Sequence, residues 1–181
     1  AMAAVVEEKT SESGIPKATF ITDVEAFLGD KNAEEIIGEV SGLLRKYTAW
    51  EERLLVQKRN MLVKLPNLKS TLNMLVHLKK KHEAKEAVIT DFEVAAGMYA
   101  KAKCNDTDKV FIWLGANVMV EFTHEEALKE LESNRKGAEE RLAELNKQLD
   151  FLKDQITVTQ VNRSRLINCT VNRKRKQQQK K

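Results

Sequence analysis

The sequence predicts an α+β fold that is mostly α: a long antiparallel two-helix coiled coil whose helices are joined by two β-hairpins. Three observations predict it. Two long segments, one on each side of the chain's middle, carry apolar residues at alternating steps of three and four, the mark of a helical seam. The strand-forming residues are gathered in one block between them, and "VFIWLGANVMVEF" is the most apolar stretch in the chain. Turn residues are scarce, with seven Gly and two Pro among 181 residues, whereas a compact mixed domain needs more of both.

Taken in order, residues 1–14 are small, polar and charged, and are expected to be disordered. Residues 15–29 are expected to form a short amphipathic helix. Phe20, Val24, Phe27 and Leu28 fall at helical spacing, and Gly29 is a natural stop. The first coiled-coil helix spans 32–85, with Asn32 as N-cap and Glu35 three residues on. Its seam runs through Ile36, Val40, Leu43, Tyr47, Trp50 and Leu54, then through Met61, Leu65, Leu68, Leu72 and Leu75. The step from 61 to 65 breaks the alternation beside Pro66. A proline inside a helix removes one backbone hydrogen bond and costs about 3 kcal/mol or more, so a kink or local unwinding is expected there, without a break in the packing seam.

Residues 86–122 divide into two hairpins. "AVITDFEV" and "GMYAKAK" form the first, with Gly97 near the bend; "KVFIWL" and "NVMVEF" flank "GAN" in the second. Gly115 and Asn117 suit the positive φ angles of a tight loop. The second long helix spans 123–170, opened by a capping box in which Thr123 precedes Glu126 by three residues. Its seam is expected at Leu128, Leu131, Arg135, Ala138, Leu142, Leu145, Leu149, Leu152, Ile156, Thr159, Arg163 and Leu166. Residues 171–181 are a basic tail, expected to be disordered.

Charge is unevenly spread. The net charge is +4, yet residues 163–181 hold eight Lys or Arg and no acid, so the rest of the chain is net acidic. No window approaches the length of a membrane span, and the N-terminal residues lack the basic and apolar regions of a secretory signal. Cys104 and Cys169 have no partners at metal spacing and are expected to be free thiols in a reducing compartment. His77 and His82 are five apart, off the i,i+4 spacing of paired metal ligands, and His124 stands apart from both. There is no phosphate-binding glycine loop and no nucleophile elbow. The chain therefore reads as no enzyme, with no cofactor, no metal and no membrane partner. The tail raises nucleic-acid binding as an alternative, but it offers no aromatic side chain for base stacking, and a solvated tail is the preferred reading.

Hairpins alone are marginal in water, and apolar strand faces left uncovered invite aggregation. The strands are therefore expected to pair with other subunits. Val110, Ile112, Leu114, Val118 and Val120 are the candidate oligomerisation residues, with Gly115 and Asn117 turning the loop.

The stretch "DTDKVFIWLGANVMVEF", the following "LDFLKDQITVTQVNRSRL", and the upstream "GIPKATFITDVEAFL" and "KLPNLKSTLNML" together resemble the α-type subunits of the prefoldin family over about residues 14–168. The family has an aromatic ending where this chain reads "RLINCTV". The resemblance implies hairpins that form part of an oligomeric β-barrel, in a hetero-hexamer of two α-type and four β-type subunits. It also implies an ATP-independent co-chaperone of the cytoplasm, with the nucleus as a second compartment. Its expected partners are the other prefoldin subunits, unfolded actin and tubulin, and the cytosolic chaperonin to which these clients pass. A name for binding the von Hippel-Lindau tumour suppressor also attaches to this family. Under that reading both chain ends lie at the tip of the coiled coil, where client contact is expected from Phe20, Ile21, Val24, Phe27, Leu28, Ile36 and Ile37. Leu166, Ile167 and Val171 are expected to face them. The competing assignment for these residues is that they only close the end of the coiled coil. The competing function is a coiled-coil scaffold or adaptor that holds no client.

Overall fold

The computed structural model describes residues 6–10, 14–29, 31–104 and 107–179. The elements follow the order β1 (Val6–Thr10), β2 (Pro16–Ala18), α1 (Val24–Leu28), α2 (Ala33–Glu83), β3 (Val88–Ala95), β4 (Met98–Cys104), β5 (Lys109–Gly115), β6 (Val118–Thr123) and α3 (His124–Gln178). The described residues are mostly helical, and their strands form three two-stranded antiparallel sheets, β1–β2, β3–β4 and β5–β6. The chain divides into two compact units, one of residues 1–59 with 143–181 and the other of residues 60–142.

In the first unit α2 and α3 run antiparallel. Lys174 meets Glu34, while Arg163 Nε donates to Ser41 Oγ at 3.0 Å, so numbers fall on one helix as they rise on the other. Ile36, Val40, Leu43, Tyr47, Leu152 and Leu166 are buried together, as the seam predicts. The core does not stop there. Ile15, Ala18, Ile21, Val24 and Leu28 join it, because residues 14–28 lie over the helix pair as a strap. The expected helix over 15–29 is thus only Val24–Leu28, and Phe20 precedes it. Asp23 sets the start: its Oδ1 accepts the N–H groups of Glu25 and Ala26 at 2.9 and 3.0 Å, leaving the residues before it extended. Gly29 ends α1 with φ +42°, as anticipated.

Other boundaries also differ from expectation. Part of the segment expected to be disordered at the N-terminus, Val6–Thr10, is a strand paired with β2, while the rest of residues 1–13 lies outside the described residues. Helix α3 does not end at 170 but continues to Gln178, because its basic residues find acceptors: Lys174 reaches Glu34, and Arg173 reaches backbone carbonyls of α1. Residues 180–181 lie outside the described residues. Helix α2 is uninterrupted through Pro66, which sits on its exposed side. The irregular seam step falls earlier than expected. Trp50, Leu54 and Lys58 are half-buried in succession, two steps of four, while Gln57 is exposed.

In the second unit α2 ends at Glu83 and α3 begins at His124, side by side: Lys79 pairs with Glu125, and the His82 and His124 rings lie 5.4 Å apart. The capping box is present. Glu126 N–H donates to Thr123 Oγ1 at 3.4 Å, and Thr123 N–H donates back to Glu126 Oε2 at 3.1 Å.

Candidate functional site

Two surfaces carry functional interest, one in each unit. The first is the pair of hairpins. In β5–β6 the register Trp113↔Met119 and Gly115↔Val118 leaves Ala116 and Asn117 as the loop, and Gly115, Ala116 and Asn117 all have positive φ. That is the geometry Gly and Asn tolerate and most residues do not. An irregularity between Trp113 and Gly115 leaves Leu114 outside the pairing.

Alternation then sorts the side chains. Val110, Ile112, Val120 and Phe122 share one face by pairing, and Val110, Ile112 and Phe122 pack on Leu75, Ala127 and Leu131 of the unit's own helices. Val120 is half-buried on the same face. Phe111, Trp113 and Met119 share the other face and are uncovered, with Phe111 63% and Trp113 57% exposed. Lys109 and Glu121 form an ion pair on that outer face. Among the predicted oligomerisation residues, Val110 and Ile112 therefore meet their own subunit's helices, whereas Leu114 and Val118 stay exposed. Sequence reasoning passed over Phe111, Trp113 and Met119. With apolar residues on both faces, alternation in the sequence does not say which face the helices cover.

Hairpin β3–β4 is more exposed still. Phe92 pairs with Ala100 and Thr90 with Ala102, making a largely apolar face. Asp91 pairs with Lys101 and Ile89 with Lys103 on the other, mixed face. Phe92, Met98 and Tyr99 are all exposed. Neither hairpin pairs with a third strand among the described residues, so both ribbons present free edges as well as apolar faces.

The second surface is the strap in the first unit. Gln155 Oε1 accepts the Ala18 N–H at 2.8 Å, and Asn162 Oδ1 accepts the Ile21 N–H at 3.0 Å. Asn162 Nδ2 also donates to the Thr19 carbonyl at 2.7 Å, so one side chain satisfies both a donor and an acceptor of the strap. Arg165 donates to the carbonyls of Ile21 and Thr22, and Tyr47 Oη to that of Pro16 at 2.7 Å. Arg173 donates to the carbonyls of Gly29 and Glu25 at 3.1 Å, placing a cation at the C-terminal end of α1, where the Glu25 carbonyl also accepts the Gly29 N–H. Burial pushes the Tyr47 phenol up from 10.0 to about 12.

These contacts explain a shift in the seam. Facing the strap, the buried positions on α3 are Leu152, Gln155, Thr159, Asn162 and Leu166, so Gln155 and Asn162 are buried more deeply than the expected Ile156 and Arg163. The predicted client residues divide accordingly. Ile21, Val24, Leu28, Ile36 and Leu166 are buried, Phe27, Ile37 and Ile167 are half-buried, and Phe20 is 50% exposed beneath the Arg165 guanidinium. The signal for Gln155 and Asn162 was present in the sequence. Polar residues at seam spacing require a hydrogen-bonding partner when they are buried.

Residues 47–168 match the model of the Prefoldin family, described as prefoldin subunit. The chain belongs to the prefoldin family. This prefoldin chain is 39% identical to mouse prefoldin subunit 3 over 166 residues, covering 90% of this chain and 85% of that protein. It is likewise 39% identical to the probable prefoldin subunit 3 of Caenorhabditis elegans over 173 residues, covering 93% and 92% of the two chains. Among solved structures, it resembles filamentous PFD from Methanocaldococcus jannaschii, determined by cryo-EM, with a TM-score of 0.52 and 25% identity. That match covers 63% of this chain and 92% of the other. The fold is the prefoldin fold, and the chain is a prefoldin chaperone subunit whose partners are other prefoldin subunits.

Proposed function

We propose that this subunit works in an ATP-independent hetero-hexamer of two α-type and four β-type subunits, in the cytoplasm with the nucleus as a second compartment. The hexamer captures unfolded proteins, actin and tubulin among them, and delivers them to the cytosolic chaperonin. The supporting observation is the pair of hairpins that leave apolar faces and strand edges uncovered. A two-stranded ribbon alone is marginal in water, and two per chain is the number an α-type subunit contributes to a shared barrel. Leu114, Val118 and the Phe111–Trp113 face are the residues proposed to meet neighbouring subunits, while Val110 and Ile112 fix the hairpin on its own helices and Val120 lies half-buried on the same face, with Gly115 and Asn117 forming the turn. Client contact is assigned to Phe20, Phe27, Ile37 and Ile167, which retain exposure. Ile21, Val24, Leu28, Ile36 and Leu166 reach a client only if the strap moves.

The test is aggregation of chemically denatured actin in the presence of the complex reconstituted from this chain and its partner subunits. Suppression that requires this chain, followed by transfer of the actin to chaperonin, is the expected result. A stable complex that binds one folded partner and no unfolded chain indicates a scaffold instead.

A further inference from the structure

The strap is bound as a foreign peptide would be. Six hydrogen bonds reach residues 16–22 from Tyr47, Gln155, Asn162 and Arg165, and all six end on strap backbone atoms. A site that bonds to backbone is indifferent to sequence. Side-chain selectivity is confined to apolar sockets at every third residue, filled by Ile15, Ala18, Ile21 and Val24. Three of these four are branched aliphatic side chains that many unfolded segments can supply, and Ala18 is smaller still. The outward residues Lys17 and Phe20 are exposed.

We propose that the groove between α2 and α3 in the first unit is a binding site for an extended apolar peptide segment, occupied in this structure by the extended part of the strap, residues 15–22 of the chain itself, ahead of α1. The strap is a competing occupant in cis, and an extended segment of an unfolded protein takes its place through the same Asn162 and Gln155 amides. This inference rests on the client-capture reading above and adds the site and its regulation. Because the strap is tethered, it holds the groove at high local concentration and closes the apolar core to water when no client is present. A client gains entry only by matching the strap's backbone bonds and filling its sockets, which excludes folded proteins, whose backbone groups are already paired.

The test uses the reconstituted hetero-hexamer with the full chain and two probes, a fluorescein-labelled peptide of residues 14–28 and chemically denatured actin. Ile21→Asp puts a charge in a socket and frees the strap while leaving the groove intact. The labelled peptide is expected to bind this complex at least tenfold more tightly than the wild-type complex, and denatured actin is expected to displace it. Ala18→Asp, which blocks a second socket, gives the same gain, and adding Asn162→Leu to Ile21→Asp removes it. If both Asp variants assemble and hold actin but bind the peptide no better than wild type, the strap is purely structural and the inference is overturned, while the chaperone reading stands. If the peptide binds the Asp variants but no complex retains denatured actin, the groove is supported and capture of unfolded clients by this complex is overturned.

Discussion

Asn162 and Ile21, 141 residues apart in sequence, are joined by a hydrogen bond of 3.0 Å from the Ile21 N–H to the Asn162 side-chain oxygen. Asn162 is fully buried, so its amide has no water to fall back on. The bond ties the start of the chain to the far end of α3 and turns what the sequence presents as a coiled-coil seam into a three-layered packing of strap on helix pair.

Asn162→Ala leaves two strap backbone groups without partners, and an unsatisfied buried group costs about 1–3 kcal/mol. At about 1.4 kcal/mol per factor of ten, amide exchange at Ile21 is expected to speed up roughly 10- to 100-fold. Exchange at Leu131, in the other unit, serves as the control and is expected to stay unchanged.

Tyr47 ties strap stability to alkaline pH. Burial raises its folded pKa from 10.0 to about 12, so the neutral phenol is the stabilised form. Its contribution is complete below about pH 10 and is lost as pH rises to about 12. In a Tyr99→Phe background Tyr47 is the only phenol, since the chain has two tyrosines. Phenolate absorbance is expected to appear near pH 12, together with faster exchange of strap amides.

The start of α3 is sensitive to acid. Hydrogen bonds from the Thr123 backbone and then its hydroxyl hold the Glu126 carboxyl below its ordinary 4.5. The cap therefore contributes above about pH 4.5 and is lost as pH falls through the lowered folded value. Amide exchange at Glu126 and Ala127, followed from pH 6 to 3, is expected to quicken at the acid end. Glu126→Ala is expected to show the faster rate already at pH 6.

The two faces of β5–β6 are expected to respond differently to substitution. Trp113→Glu changes an exposed side chain, so the isolated chain should keep its stability within about 0.5 kcal/mol while losing its place in the assembly. Ile112→Ala removes packing against the helices and is expected to cost about 2 kcal/mol of stability, read from thermal unfolding of the isolated chain.

The long helices, both hairpins and the capping box were legible because each rests on local chemistry: heptad spacing, Gly and Asn in a loop, Thr and Glu three apart. The strap was not, because its folding depends on partners far away in sequence. Residues 15–28 carry apolar side chains at intervals that suit a helix, and only the amides of Gln155 and Asn162 reveal that half the segment is extended. The same limit applied to the tail, whose cations suggest disorder until the carbonyls at the end of α1 and the Glu34 carboxylate are in place. At the hairpins, alternation located the strands but not their buried side, since Phe111 and Trp113 are as apolar as Val110 and Ile112.

The central claim is that the uncovered hairpin faces exist for assembly with other prefoldin subunits. Native mass spectrometry of this chain co-expressed with its candidate partner subunits tests it most directly, with a Phe111→Glu, Trp113→Glu variant alongside. The account predicts a hexamer containing the wild-type chain and exclusion of the folded variant from it. A wild-type chain that remains a monomer or homodimer among its partners, or a variant incorporated as well as wild type, contradicts it.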